Sequence, residues 1–277
     1  MVSIEEYGIA IHTSVDGGKI WQRQECSSYL GDIAAISKKE AWAIESQFAP
    51  DGSTGPALFH TKDGGKSWQK ISHPFSNRKD IEFSGICFFD QLHGWVVYDG
   101  PLAIDPTGKL QGNPIIILRT IDGGKSWQVS SPPWTDAGYS DLKVPQVHFS
   151  STQEGWLAVE TDHLLHTTDG GRNWQAVRPI APRAEPYPLL TFNDCAFITP
   201  QVGWVVGDDS GNPILLSTKD GGKSWQKEES GIENVESGHL CRIVFLDAKH
   251  GWIIGDGGPY RNEIPGRRIS FILKYVP

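Results

Sequence analysis

Apolar residues in this chain come in short runs separated by glycine, proline and polar clusters, a pattern of strands and turns rather than of amphipathic helices. Ser84-Gly85-Ile86-Cys87-Phe88-Phe89 and Arg242-Ile243-Val244-Phe245 exemplify a first strand type, A. Each precedes a Gly-Trp pair that opens a second strand, B, as in Gly94-Trp95-Val96-Val97. The apolar run Pro213-Ile214-Leu215-Leu216-Ser217-Thr218 represents strand C, and Lys223-Ser224-Trp225-Gln226 opens strand D. The reading predicts an all-β fold of four-stranded antiparallel units.

The order A-B-C-D repeats along the chain. A motif S/T-x-D-G-G-x-x-W occurs five times, first as Ser14-Val15-Asp16-Gly17-Gly18-Lys19-Ile20-Trp21 and then at 61–68, 120–127, 167–174 and 218–225. Ala41-Trp42, Gly94-Trp95, Gly155-Trp156, Gly203-Trp204 and Gly251-Trp252 alternate with it, so that of eleven tryptophans only Trp134 stands outside the repeat. The motif aspartates, Asp16, Asp63, Asp122, Asp169 and Asp220, are spaced as four short strands and their turns require, the signature of a β-propeller blade. Two successive glycines supply the positive φ of a tight C–D hairpin, and an aspartate before them accepts amide hydrogen bonds across the turn. All five aspartates therefore read as structural. One carboxylate per motif is too few for a calcium cage.

Composition sharpens this picture. Thirty-one glycines and 18 prolines in 277 residues demand many turns, which argues against a helical bundle. A net charge of −8 argues against a nucleic-acid partner, and no apolar run is long enough to span a bilayer. The N-terminus Met1-Val2-Ser3-Ile4-Glu5-Glu6 has no leader character, leaving a cytoplasmic chain or, as expected here, a mature extracytoplasmic one. Cys26, Cys87, Cys195 and Cys241 are widely spaced, without metal-finger spacing, and read as buried free thiols. His73, His163 and His239 come from separate repeats without a clustered carboxylate partner, so no metal and no cofactor are expected.

The D-G-G motif is that of the Asp box, or bacterial neuraminidase repeat. Its pairing with His93-Gly94-Trp95-Val96-Val97 and His250-Gly251-Trp252-Ile253-Ile254 resembles the photosystem II stability/assembly factor-like propellers over nearly the whole chain. That resemblance implies a propeller whose known photosynthetic members have seven blades and an arginine-rich surface for photosystem components. Similar repeats also occur in sialidases and xyloglucanases. The strand count gives one domain over 1–277 with five blades, the closing blade taking its outer strand from the N-terminus. Six blades, or the seven of the family, are the alternatives.

Candidate chemistry lies where repeat length varies, in the D-to-A and B-to-C connections on one face. Asp99, Glu160, Asp208 and Asp256 each stand four residues after a strand-B tryptophan and form a potential carboxylate ring, or merely end strand B in a turn. Trp134 and Tyr139 share a proline-rich loop and offer stacking surfaces. Arg261, Arg267 and Arg268, joined by Arg178 and Arg183, are the nearest analogue of an arginine patch. These residues point to a non-catalytic, monomeric scaffold that binds a protein or carbohydrate partner. A glycoside hydrolase acting through Asp208 and Asp256 is the alternative.

Overall fold

The computed structural model describes residues 2–4, 10–14, 19–25, 30–45, 56–78, 81–99, 103–104, 110–112, 115–132, 146–159, 162–180, 190–228, 239–257 and 269–275. They form two compact units, Met1–Asp136 and Ala137–Pro277, and no helix among the described residues.

The first unit opens with an antiparallel sheet of β1 (Val2–Ile4), β2 (Ala10–Thr13) and β3 (Gln22–Glu25). Next come β4 (Leu30–Ala35), β5 (Ala41–Glu45), β6 (Leu58–Thr61) and β7 (Gln69–Ile71), paired in that order. The third sheet contains β8 (Glu82–Phe88) and β9 (Gly94–Asp99). A hairpin of β10 (Ala103–Ile104) and β11 (Leu110–Gly112) interrupts it before β12 (Ile115–Thr120) and β13 (Gln128–Ser130) complete the order β8-β9-β12-β13.

The second unit holds β14 (Gln146–Phe149), β15 (Gly155–Ala158), β16 (Leu164–Thr167) and β17 (Gln175–Val177). A further four-stranded sheet follows, of β18 (Leu190–Phe197), β19 (Gly203–Asp209), β20 (Asn212–Thr218) and β21 (Gln226–Lys227). The unit closes on β22 (His239–Asp247), β23 (His250–Gly257) and β24 (Ile269–Tyr275), a three-stranded sheet. The predicted A-B-C-D order is thus the observed one in four sheets. The D strands are shorter than predicted, starting after the motif tryptophan at Gln69, Gln128, Gln175 and Gln226. Strand β1 and the β10–β11 hairpin were not expected from the pattern.

The cores lie between successive sheets. Trp42, Ile44 and Leu58 of the second sheet pack with Phe83, Ile86, Phe88, Val96 and Leu118 of the third. In the other unit, Trp156 and Leu164 pack with Phe192, Cys195, Phe197 and Val205, while Trp204 and Val206 pack with Leu240, Ile243 and Ile253. A buried indole removes ~200 Å² from water, about 5 kcal/mol before conformational entropy is set against it. Cys195 is buried, whereas Cys87 and Cys241 are only half-buried; Cys26 lies outside the described residues.

One contact explains the Gly-Trp pair. Phe88, Phe149 and Phe197, which end strand A, and Phe245, two residues before the end of β22, stand directly opposite Gly94, Gly155, Gly203 and Gly251 across the A–B ladder. A Cβ on Gly94 would lie 2.3 Å from the Phe88 ring, and one on Gly203 would lie 2.3 Å from Phe197. The ring thus lies flat over the glycine and faces the preceding sheet. There Phe88 stacks on Trp42 at 4.4 Å, Phe197 on Trp156 at 4.7 Å and Phe245 on Trp204 at 3.8 Å. The exception supports the rule: Ala41 replaces the glycine in the one repeat whose opposite residue is Ala35.

Candidate partner-binding face

Each sheet has two chemically different ends. At one end the motif turn is built by its own side chains. Thr61 Oγ1 donates to Asp63 Oδ1 (2.8 Å) and accepts from the Gly65 amide (2.9 Å), while Ser67 donates its amide (3.0 Å) and hydroxyl (2.5 Å) to the Asp63 carboxylate. Gly64 and Gly65 take φ of 78° and 87°, left-handed values that a side chain would strain. The arrangement recurs at Asp122, Asp169 and Asp220. Asp16 lies outside the described residues.

Hydrogen bonds from Ser67 hold Asp63 at a pKa of about 2, helped by Thr61. Ser126 and Ser224 do the same for Asp122 and Asp220. At Asp169 burial pushes the other way, but the amide and side chain of Asn173 bring it to about 2. In every one of these sheets the first motif glycine also donates its amide to the A–B turn. Gly64 bonds Lys39 O (2.8 Å), Gly123 bonds Leu92 O (3.0 Å), Gly170 bonds Gln153 O (2.8 Å) and Gly221 bonds Gln201 O (2.9 Å). The A–B and C–D turns therefore share one end, and the B–C and D–A connections occupy the other.

Three networks occur at that second end. His73, after β7, contacts Pro56 O through Nε2 and accepts from the Tyr98 hydroxyl at Nδ1 (2.9 Å), tying the β5–β6 connection to the end of β9. Burial lowers the His73 pKa and raises that of Tyr98, so both are neutral, as those bonds require. Arg178 Nε donates to His163 Nε2 (2.5 Å), and His163 Nδ1 faces Asp162 at 2.5 Å. Asp208 is buried; it accepts from Thr191 Oγ1 (2.8 Å) and the Gly211 amide (3.2 Å), and lies 3.0 Å from His239 Nδ1.

Asp208 thereby stabilises the tight β19–β20 turn at Ser210 and Gly211, which have φ of 58° and 80°. Its carboxylate contacts both that turn and His239. His163 and His239 each have one carboxylate neighbour, which sequence spacing did not reveal. Among the described residues no group of three potential metal ligands converges. Asp99 is the last residue of β9 and Asp256 the penultimate residue of β23, where it stands opposite His239 in the ladder. Trp134, Tyr139, Glu160, Arg183, Arg261, Arg267 and Arg268 lie outside the described residues.

Sequence reasoning also missed two carboxylates in A strands, Asp32 half-buried and Asp194 buried. Asp32 sits at a register shift in β4 and accepts from the Ile33 amide (2.8 Å) and the Ile86 amide of the next sheet (3.4 Å). Asp194 sits at the corresponding shift in β18 and accepts from Cys195 (2.8 Å) and from Ile243 of the next sheet (2.9 Å). The signal, an Asp three residues before the strand-A terminus, appears in only two repeats and had no recognisable spacing.

The description of the photosynthesis system II assembly factor YCF48 family matches residues 79–191 and 186–260, well over half of the chain. This chain belongs to that family. The photosystem II assembly lipoprotein Ycf48 of Synechocystis sp. is 35% identical over 79 residues, 28% of this chain and 22% of the relative. The aligned segment thus spans about a fifth of the curated relatives matched first. Among solved structures, YCF48 bound to D1 peptide aligns over 100% of this chain and 98% of its own, with 18% identity and a TM-score of 0.39. An ancestral GH74 enzyme aligns over 98% of this chain and 36% of its own, with 15% identity and a TM-score of 0.56, a likeness of fold. The all-β propeller architecture of antiparallel four-stranded blades accords with this membership.

Proposed function

We propose that this family member is a non-catalytic scaffold in photosystem II assembly, a single propeller over 1–277 that engages a protein partner through its B–C and D–A connections. The observation that carries the reading is the paired turn. In all four described motif sheets the A–B and C–D turns bond each other, so variable length accumulates at the opposite end. The binding residues would come from Trp134, Tyr139, Asp99, Glu160, Asp208, Asp256, Arg183, Arg261, Arg267 and Arg268. A carbohydrate ligand stacked on Trp134 is the secondary expectation. Two separate three-stranded terminal sheets favour six blades, whereas five require strands from both ends in one blade. The protein would act as an extracytoplasmic monomer.

A D1 peptide is the first probe. Arg267→Glu with Arg268→Glu should weaken capture about tenfold, read by calorimetric titration, since reversing charges at an electrostatic contact replaces attraction by repulsion. Equal affinity in both proteins would remove that loop from the site.

A further inference from the structure

Among the described residues, strand β24 is paired on one side only. It takes the place of strand C in the last sheet. Tyr275 stands opposite Gly251, as the motif threonines Thr61, Thr120, Thr167 and Thr218 stand opposite the residue that opens strand B. In each other sheet with a motif, strand C is covered by a strand D: β3, β7, β13, β17 or β21. The order β22-β23-β24 stops at C, and no described strand pairs with the outer edge of β24. Nor does the sequence write the turn that leads from C to D elsewhere. Tyr275 occupies the motif Ser/Thr position and Pro277 the motif Asp position.

The complete sheets show what a strand D must offer. Each D strand starts with a glutamine directly after the motif tryptophan. That glutamine stands opposite the residue just before the motif Ser/Thr, as in the pairs Arg119–Gln128 and Ser217–Gln226. Residues at this C position donate to acceptors on the D side: Arg119 Nη1 to Gln128 Oε1 (3.1 Å) and Ser217 Oγ to Glu228 Oε1 (2.5 Å). In β24 the position is held by Lys274, opposite Trp252. An ammonium group only donates, so it suits an amide or carboxylate oxygen on the incoming strand. Residues 267–275 include Arg267, Arg268 and Lys274 and no carboxylate, while Asp247 and Asp256 belong to the inner strands β22 and β23. A second copy of β24 would set the same cations against themselves, whereas an amide-bearing or acidic strand complements them.

We propose that β24 takes up an extended segment of a protein partner as strand D of the last sheet. The segment carries an amide or carboxylate side chain opposite Lys274 and an aromatic residue immediately before it, as this chain's own Trp-Gln segments do. The row of N–H and C=O groups along an open edge supplies the affinity, and the residue opposite Lys274 sets the register. This edge runs along the sheet rather than at its B–C and D–A end, so the inference does not depend on the partner face proposed above.

Fluorescence anisotropy tests it, with the full chain titrated into a labelled peptide of the residue 223–230 sequence, Lys-Ser-Trp-Gln-Lys-Glu-Glu-Ser. Saturable binding is expected. N-methylation of alternate peptide amides along one edge should weaken binding about tenfold or more, and methylation of the intervening amides should change it by less than about twofold, because an added strand meets β24 through one edge. Glutamate in place of the peptide glutamine should bind the wild type about threefold tighter, and Lys274→Glu should reverse that preference. A wild type that does not bind the peptide, its edge being covered by its own chain or by a second copy, would overturn the proposal. Equal losses from the two methylation patterns, or an unchanged preference in Lys274→Glu, would do the same.

Discussion

Phe88 and Gly94 form a lock whose two halves cannot be changed independently. Adding a methyl at Gly94 drives a Cβ into the Phe88 ring at 2.3 Å, and the ring cannot retreat because Trp42 backs it at 4.4 Å. Gly94→Ala should therefore cost about 1–3 kcal/mol, the usual penalty of overpacking. Phe88→Ala should cost about 3–5 kcal/mol through lost burial and stacking. The double variant reproduces the natural Ala35–Ala41 pair and should cost clearly less than the sum, a coupling visible in urea melts of the four proteins. Additive costs would mean that the ring and the glycine do not sense each other. A second residue test concerns Tyr98→Phe, which leaves the buried His73 Nδ1 only the long hydrogen bond from the Phe75 amide (3.4 Å) and should destabilise by about 1–2 kcal/mol in the same melts.

The motif turns give the strands a defined dependence on acidity. Their carboxylates titrate at about 2 when folded, below the ordinary aspartate value, because Ser67 and its counterparts bond the charged form. A depressed folded pKa contributes stability that is complete above the unfolded value and is lost as pH falls toward the folded one. Thermal melts should therefore be flat near neutrality and drop between roughly pH 4 and pH 2. Ser67→Ala should reduce that slope, and an unchanged slope would place the acid sensitivity elsewhere. The strands and their turns were legible in the sequence because their requirements are local: a threonine, an aspartate and two glycines suffice. The phenylalanine lock was not, since its two halves are six residues apart and its third member, Trp42 or Trp156, belongs to another repeat. Asp32 and Asp194 were hidden for the same reason, their partners being main-chain amides of the following sheet.

The repeat as a whole places construction at one end of every sheet and variation at the other. The candidate face was legible only as a location: residue types such as Trp134 and Arg267 mark it, but connections without periodicity carry no rule that fixes their form. Asp208 shows how little such a location fixes: its carboxylate bonds the backbone amide of Gly211 in a tight turn, a contact that strand-B spacing alone does not specify. If residues 1–277 form one propeller, Trp42→Phe and Trp156→Phe should lower the same cooperative transition, followed by calorimetry, although their clusters lie in different compact units. Two transitions, each moved by only one substitution, would make the units separate domains. The stacked contacts between sheets also have a polarity: Phe88, Phe197 and Phe245 always come from the later sheet and Trp42, Trp156 and Trp204 from the earlier one. A chain leaving the ribosome thus exposes each of these indoles before the ring that will cover it has been synthesised, so that within each unit a finished sheet is the template on which the next one lands.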